Sequence, residues 1–319
     1  MNSNRMTAGK IFKKYNLLIL LILFTAIAAL ISDRFLQMNN FLNIMRSASF
    51  GGIIALGMTF AILIGGIDLS VGYMANFSGM VCAYLLVSGV PIPFAILAAI
   101  VAGAILGTVS GVVINYFHMP AFIATLAMLM IAQGLSLFVS SGNVINNLPE
   151  AFNNIGSAKL FGKFPLVAFI WIVLTVIAAL VLKYTPFGRR LYSLGGNPEA
   201  AYLSGIKIKK YSIISYIICA SLAALSGILM SSYLSVGQPT AIQAGETDAI
   251  AAVVIGGTSM AGGIGGVVGT FGGVILLQII TNIFNLIGVA PFFQYIFKGV
   301  IIILALILNN FVVGNKKSD

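Results

Sequence analysis

The side chains that could perform chemistry are few and scattered in this sequence. Its 319 residues include seven acidic side chains, one histidine (His118) and two cysteines (Cys82 and Cys219). They lack the spacing of a metal site, and no nucleophile, base and carboxylate are grouped as a catalytic site requires. The sequence therefore predicts no metal, no bound cofactor and no catalytic residue in this chain.

Two glycine-rich stretches imitate nucleotide-binding motifs without completing them. Gly156–Lys163 has five residues between its glycines where a phosphate loop has four, and Phe164 replaces the required Ser or Thr. Gly263 and Gly265 begin a dinucleotide-like pattern, but Val268 stands at the third glycine position. ATP hydrolysis by this chain alone is therefore not expected.

Polar residues inside apolar stretches are the next candidates. Asp68 interrupts one such stretch, and a carboxylate at mid-membrane costs about 2.5–3.5 kcal/mol on insertion. With Ser70 it can cap the following helix, or it can serve a gate or pathway, and the sequence leaves both roles open. Other polar side chains could line a path or hold helices together, namely Asn76, Gln133, Gln278 and Asn282.

A short capped helix is predicted inside the basic segment 183–210. Asn197 suits the N-cap, Pro198 the first helical position, and Glu199 the positive helix N-terminus. Gly205 suits the left-handed position that ends a helix. So short a helix is unstable alone in water. The membrane surface, the rest of the chain or a partner must hold it, and we favour a cytoplasmic partner.

Composition indicates the class of protein that positions these residues. The chain is 60% hydrophobic and 8% charged, whereas soluble domains carry about 25% charged residues. An all-α polytopic membrane protein with a single transmembrane domain over 1–319 is therefore predicted. The net charge is +10, and the basic residues cluster at the N-terminus, in 183–210 and at Lys316–Lys317. That pattern follows the positive-inside rule and does not indicate nucleic-acid binding.

Apolar runs predict about ten transmembrane helices. Both termini and the 183–210 loop, between spans six and seven, are then cytoplasmic. Loops 142–164 and 235–248, the latter with Glu246 and Asp248, are external. The run at 241–257 is the weakest, and a re-entrant segment there would place the C-terminus outside, against its lysines. The runs lie at about 17–31, 48–66, 71–88, 92–116, 121–139, 165–182, 211–234, 241–257, 264–287 and 291–313.

Internal similarity indicates two repeated halves. Ile64–Gly72 resembles Ile255–Gly263, and Gly107–Gly111 resembles Gly269–Gly273. The first match implies parallel copies and the second inverted ones, and we favour inverted halves because transporters often use them. Glycines four residues apart also predict close helix contacts, in the two series Gly103, Gly107, Gly111 and Gly265, Gly269, Gly273.

Three stretches together resemble the ribose-type sugar permeases of bacterial ABC importers. They are Ile64–Gly72, Gly195–Ala201 with Gly205, and Asp248–Ser259, and the likeness extends from about Phe41 to the C-terminus. The resemblance implies a dimerising ten-span subunit of the bacterial inner membrane. It also implies a cytoplasmic ATPase partner, which binds the ATP and Mg, and an extracytoplasmic sugar-binding protein.

The resemblance assigns roles to particular residues. Glu199, Ala200, Ala201 and Gly205 match the EAA-x3-G core of the loop that docks into the ATPase, although the Ile-x-Leu-Pro piece found in some permeases is missing. Glu246 and Asp248 would lie near the outer gate or the binding-protein dock. The expected coupling set is Asn197, Pro198, Glu199, Ala200, Ala201, Gly205, Arg189 and Arg190.

Other functions stay open at this point. The same superfamily includes permeases for autoinducer-2, xylose or galactose, nucleosides and branched-chain amino acids. An ion-coupled secondary transporter would need several intramembrane carboxylates, and Asp68 is the only candidate. A membrane enzyme lacks a catalytic cluster. Ribose is the favoured substrate by resemblance.

Overall fold

The computed structural model describes residues 8–300 and Ile303, with side chains from Leu17 onward. The side chains of Lys10, Lys13 and Lys14, the rest of the last predicted span and Lys316–Lys317 lie outside the described part. The elements, with a further helical stretch over 291–300, are α1 Ala8–Ile31, α2 Met38–Leu63, α3 Val71–Val87, α4 Ile92–Tyr116, α5 Ala121–Phe138, α6 Glu150–Ser157, β1 Lys159–Leu160, β2 Phe164–Pro165, α7 Leu166–Tyr184, α8 Pro186–Gly196, α9 Pro198–Leu203, α10 Ile208–Leu234, α11 Gly245–Ile255 and α12 Val267–Leu286.

Long apolar helices dominate the described chain, as composition predicts. Six of them are long and apolar enough to cross a membrane, namely α2, α4, α5, α7, α10 and α12. The apolar part of α1 and the whole of α3 are shorter. The predicted bounds of most runs agree with the helices to within a few residues, because a run of about 20 apolar residues has few stable alternatives to a helix in lipid. A polytopic helical membrane protein is thereby confirmed.

Helix α2 forms the centre of the bundle, and most of its second half is buried. Helix α10 packs against α2, α3 and α4. On α4 the glycine series is at the contact, since an added Cβ at Gly103 would come within 2.7 Å of Ala224 Cβ, and one at Gly111 within 2.9 Å of Ile213 Cα. The predicted role of these glycines in close helix approach is confirmed.

The second glycine series is only partly helical. Gly269 and Gly273 lie on α12, where a Cβ would overlap the backbone of Gly256 and Ala252, so α12 and α11 pack closely. Gly265 instead precedes α12 with φ of +121°. Its backbone conformation, which side chains rarely adopt, explains this glycine better than helix packing does.

Two of the helices begin inside the bundle. Helix α11 has 11 residues, about 16 Å at 1.5 Å per residue and half of the roughly 30 Å hydrocarbon core. It begins beside Ile54 in α2 and Gly72 in α3, and its following loop reaches the end of α2, where Gly263 N donates to Leu63 O at 2.9 Å. The predicted span 241–257 is therefore a non-helical stretch followed by a half-helix. Helix α3 likewise follows a non-helical stretch, 64–70.

The helix ends define two ends of the bundle. Helices α8 and α9 lie at one, with the C-terminus of α2 and the N-terminus of α10, and we call it the α9 end. The opposite end carries α6 and the β1–β2 hairpin, together with an isolated bridge between Ile145 and Gly237. The loop after α10 thus pairs with the loop after α5, which ties the two predicted external loops together.

Candidate coupling and translocation site

Helix α9 is closed at both ends by its own sequence. The Asn197 side chain accepts a hydrogen bond from Ala200 N at 3.0 Å, which caps the N-terminus. At the other end Gly205 has φ of +78°, and its N–H donates to Tyr202 O at 2.9 Å. Ile206 N donates to Ala201 O at 3.0 Å, which completes a Schellman motif. The predicted cap and stop are both confirmed.

Most of α9 is nevertheless uncovered. Ala201 is its one buried residue, while Pro198, Glu199 and Ala200 are exposed. Tyr202 and Leu203 are 69% and 80% exposed, although each is large and mainly apolar. A six-residue helix held by its caps, with two such side chains facing outward, has the features of a docking surface. Sequence reasoning missed Tyr202 and Leu203, whose signal was apolar bulk inside a polar, capped segment.

Helix α8, which sequence reasoning also missed, anchors α9 to the bundle. Thr185 caps it through a 3.3 Å bond from Gly188 N, and Pro186 occupies its first turn. Leu191 is fully buried in a cluster with Leu63 of α2 and Leu182 of α7. A Cβ on Gly195 would overlap Leu63 O, so α8 meets the end of α2 backbone to backbone. Helix α9 is therefore joined to α2 through α8.

The two arginines predicted to take part in coupling lie on α8, and their settings differ. Arg190 donates to the Tyr211 hydroxyl and lies over that ring, which joins α8 to α10. Arg189 is exposed and lines a cavity of about 530 Å³ with Lys183 and Tyr192. Tyr192 donates to Gly265 O at 2.9 Å, and burial raises the pKa of its phenol. The hydroxyl thus remains a donor that fixes the loop after α11.

Asp68 lies in the non-helical stretch between α2 and α3 and is completely buried. Its Oδ1 accepts from Ser70 N at 3.0 Å and from Ser70 Oγ, whereas Oδ2 has no partner among the described residues. Thr125 Oγ1 donates to the neighbouring Ile67 O at 3.3 Å. The carboxylate thus holds Ser70 in the turn that leads into α3, but no side chain caps the helix itself, so the predicted capping by Asp68 with Ser70 is not found.

The starts of α3 and α11 meet inside the bundle. A Cβ on Gly72 would overlap Glu246 Oε2, so that carboxylate lies against the first turn of α3. Asn76 donates to Ile242 O and accepts from Ile242 N, both at 2.9 Å, and so holds the stretch before α11. A side-chain amide thus supplies the backbone hydrogen bonds that the missing helix turn would have supplied.

Glu246 and Asp248, predicted in an outer loop, lie in the first turn of α11. Helix α11 begins at Gly245, inside the predicted loop 235–248 but later than the apolar run predicted from 241, and its positive N-terminus favours carboxylates there. Asp248 Oδ2 pairs with Lys298 Nζ at 2.7 Å, the one ion pair between residues 17 and 300. Gln278 on α12 lines a cavity with this pair.

The remaining polar candidates are separate from that cavity. Asn282 and Asn40 exchange amide hydrogen bonds of 2.9 and 3.0 Å, which join α12 to α2. Gln133 on α5 is partly buried and forms no side-chain hydrogen bond within the described chain. Among the described residues, no three His, Cys, Asp or Glu side chains are grouped to hold a metal ion.

Together these contacts form a continuous series that links the α9 end to the interior of the bundle. It extends from exposed α9 through α8 to Leu63, where Gly263 and Gly195 also meet, and from there into the stretches that lead to α3 and α11. The resembling segments Ile64–Gly72 and Ile255–Gly263 lie side by side at this junction, since Gly262 and Gly65 approach backbone to backbone. The exposed helix α9 is thus connected by packing contacts to the starts of α3 and α11.

Comparison with known proteins places the chain among membrane transport permeases. The family model described as branched-chain amino acid transport system / permease component matches residues 40–306. The ribose import permease protein of Haemophilus influenzae is 37% identical, over 97% of this chain and 96% of that protein. That of Bacillus subtilis is 40% identical, over 91% and 90%. The xylose transport system permease protein of Escherichia coli is 33% identical, over 85% and 84%. No solved structure matches the chain.

Proposed function

Because the chain belongs to the family of permease components described by that model, we propose that it is the membrane subunit of an ATP-driven ABC importer for a monosaccharide, with ribose as the first candidate. The ribose assignment follows from the two ribose import permeases, whose identity of 37–40% exceeds the 33% of the xylose permease. As the transport subunit, the chain would leave ATP hydrolysis to a partner.

Helix α9 is proposed as the site where a cytoplasmic ATPase binds. The single observation that carries this proposal is the exposure of Tyr202 and Leu203 on a helix that its own caps hold rigid. Glu199 and Ala200 lie on the same exposed helix, and Arg189 is exposed beside it. A rigid, apolar, capped helix is suited to a groove, because little conformational entropy is lost on binding.

This assignment fixes the proposed topology. With the α9 end in the cytoplasm, the chain crosses the membrane about ten times if 241–257 counts as one crossing. Both termini are then cytoplasmic, and the 183–210 segment lies between the sixth and seventh crossings. The hairpin end would face an extracytoplasmic sugar-binding protein. A second copy of the subunit would complete the pathway, with inverted halves in each copy.

The proposed mechanism is alternating access. Closure of the ATPase on ATP would move α9, and the backbone contact of Gly195 with Leu63 would carry that movement into α2. The junction would then shift the stretches that precede α3 and follow α11. Asp68 and Glu246, which lie at the starts of α3 and α11, would respond by opening or closing the path between them.

Substitution of Leu203 by Asp tests the docking surface. Leu203 is 80% exposed, so its replacement breaks little packing and the protein should fold and insert normally. We expect binding of the ATPase to weaken at least about tenfold, as loss of a buried apolar anchor does, and ATP-driven sugar uptake in proteoliposomes to fall with it.

Phe161→Asp is the matched control, because Phe161 is 99% exposed but lies in the hairpin at the opposite end. It should bind the ATPase as the wild type does. Equal ATPase affinity for Leu203→Asp and wild type would contradict the docking assignment.

A panel of ribose, xylose and leucine, each offered with its binding protein, would identify the transported solute.

A further inference from the structure

One charged and polar cavity lies within the membrane part of the bundle. It has a volume of about 90 Å³, and its walls come from α2, α11, α12 and the helical stretch 291–300. The Asp248–Lys298 ion pair forms one side. Gln278 and Thr281 of α12 and Ser47 of α2 supply further polar side chains. The remaining walls are apolar or small.

The cavity lies near mid-membrane. Ser47, Ala48 and Gly51 are in the middle of the 26-residue helix α2, and Gln278 is in the middle of the 20-residue helix α12. Charged side chains at this depth are costly unless they face a partner or a water-filled path. The ion pair is partly open, with Lys298 and Asp248 side chains 22% and 36% exposed. The polar lining of the cavity therefore indicates that these side chains face a translocation path and not lipid.

Much hydrogen-bonding capacity in the cavity is unused. Lys298 Nζ has three donors and one recorded acceptor, Asp248 Oδ2. Gln278 makes no side-chain hydrogen bond within the described residues, and neither does Ser47. Donors and acceptors thus stand side by side, which suits a solute whose hydroxyl groups both donate and accept. A charged solute is less suited, because the ion pair already neutralises itself.

We propose that this cavity is a subsite of the translocation path that binds the hydroxyl groups of a neutral monosaccharide midway across the membrane. Its volume equals that of about three waters at roughly 30 Å³ each, so it receives one polar edge of the sugar while the rest stays in the path. The inference rests on the proposed import function and names the residues that meet the substrate inside the permease. Asp248, Lys298 and Gln278 are its binding residues.

The open wall at Gly51 provides a direct test. A Cβ there would meet nothing within 4 Å, so Gly51→Leu places a side chain in open space beside the cavity without a backbone clash. Gly134→Leu is the matched control, because Gly134 is also a helical glycine with nothing within 4 Å, on α5 and away from the cavity. Sugar uptake is measured in proteoliposomes that contain the permease, the ATPase and the binding protein.

We expect Gly51→Leu to lower uptake at least about tenfold while Gly134→Leu stays near the wild-type rate. Gln278→Leu, which breaks no recorded contact, should lower ribose uptake by about 2- to 10-fold, the range of one lost hydrogen bond. It should not lower uptake of the deoxyribose that lacks the hydroxyl bound there. Basal ATPase activity, which reports assembly, should be unchanged in the control variant Gly134→Leu, and detergent-solubilised yield and thermal unfolding report whether the other two variants fold.

The outcomes separate the two proposals. If the wild-type complex imports no monosaccharide, the import function fails and the subsite fails with it. If the wild type imports ribose and Gly51→Leu does so at the same rate, the subsite alone is overturned. A Gln278→Leu variant that loses uptake of ribose and of every deoxyribose equally would also overturn it, because that result indicates a structural role.

Discussion

The N-terminus of α9 faces water, whereas the N-termini of α3 and α11 lie in the interior of the bundle. Each leaves backbone N–H groups without a partner inside the helix. At α9 the exposed Asn197, three residues from its target, supplies the cap. In the interior no side chain caps α3 or α11; instead Asp68 accepts from Ser70 N just before α3, and Asn76, 166 residues away in sequence, fixes Ile242 before α11. The water-facing helix is therefore finished locally, and the interior start of α11 depends on tertiary contacts.

The largest predicted effect is at Asn76. Asn76→Leu keeps the side chain's size but leaves both Ile242 N and Ile242 O, which are partly buried, without their partner. At about 1–3 kcal/mol for each unsatisfied group, the free energy of unfolding should fall by about 2–6 kcal/mol. Thermal unfolding of the purified protein in detergent measures it.

Thr108→Val is the control for Asn76→Leu, because the Thr108 hydroxyl bonds only Ala104 O in its own helix, at 2.8 Å. That variant should unfold near the wild-type temperature. If Asn76→Leu proves as stable as Thr108→Val, the stretch before α11 is held by something other than Asn76, and the contrast between local and tertiary caps weakens.

A smaller effect is predicted at Asp68, where it also separates the two roles left open by the sequence. Asp68→Ala leaves Ser70 N unpaired and should destabilise the protein by about 1–3 kcal/mol. Asp68→Asn keeps an acceptor oxygen and removes the charge. If the bond to Ser70 is the whole role, the Asn variant regains both stability and sugar uptake. Recovery of thermal stability without recovery of uptake would instead assign the charge to the gate.

The same contrast explains how much of the molecule the sequence predicts. Long apolar runs fix α4 and α5 almost to the residue, and the caps of α9 are visible because Asn197, Pro198 and Gly205 are close together in the chain. The ends of α11 were harder to place. Its start depends on a contact with distant Asn76, so apolar length alone merged it with the stretch before it.

The candidate site follows the same division. The polar types at Asp68, Gln278 and Asp248 could be singled out from the sequence, since each is rare in an apolar segment. Their companions could not. The pairing of Asp248 with Lys298 joins residues 50 positions apart, and Gln278 meets that pair only because α12 packs beside α11.

The smallest effect on stability, and the most selective effect on function, is predicted at Asn197. Asn197→Ala removes one exposed cap, worth about 1 kcal/mol to the helix. Because α9 is almost uncovered, it can fray without disturbing the bundle, so thermal unfolding should barely change. ATPase affinity should nevertheless fall about fivefold, since the unwound segment must be reordered on binding. Asn197→Asp, which retains the capping oxygen, should restore that affinity. Equal affinity for the Ala variant and the wild type would show that the ATPase itself, and not the cap, orders α9. The distinction between a helix with a local cap and helix starts that depend on distant residues would then apply only to the free permease.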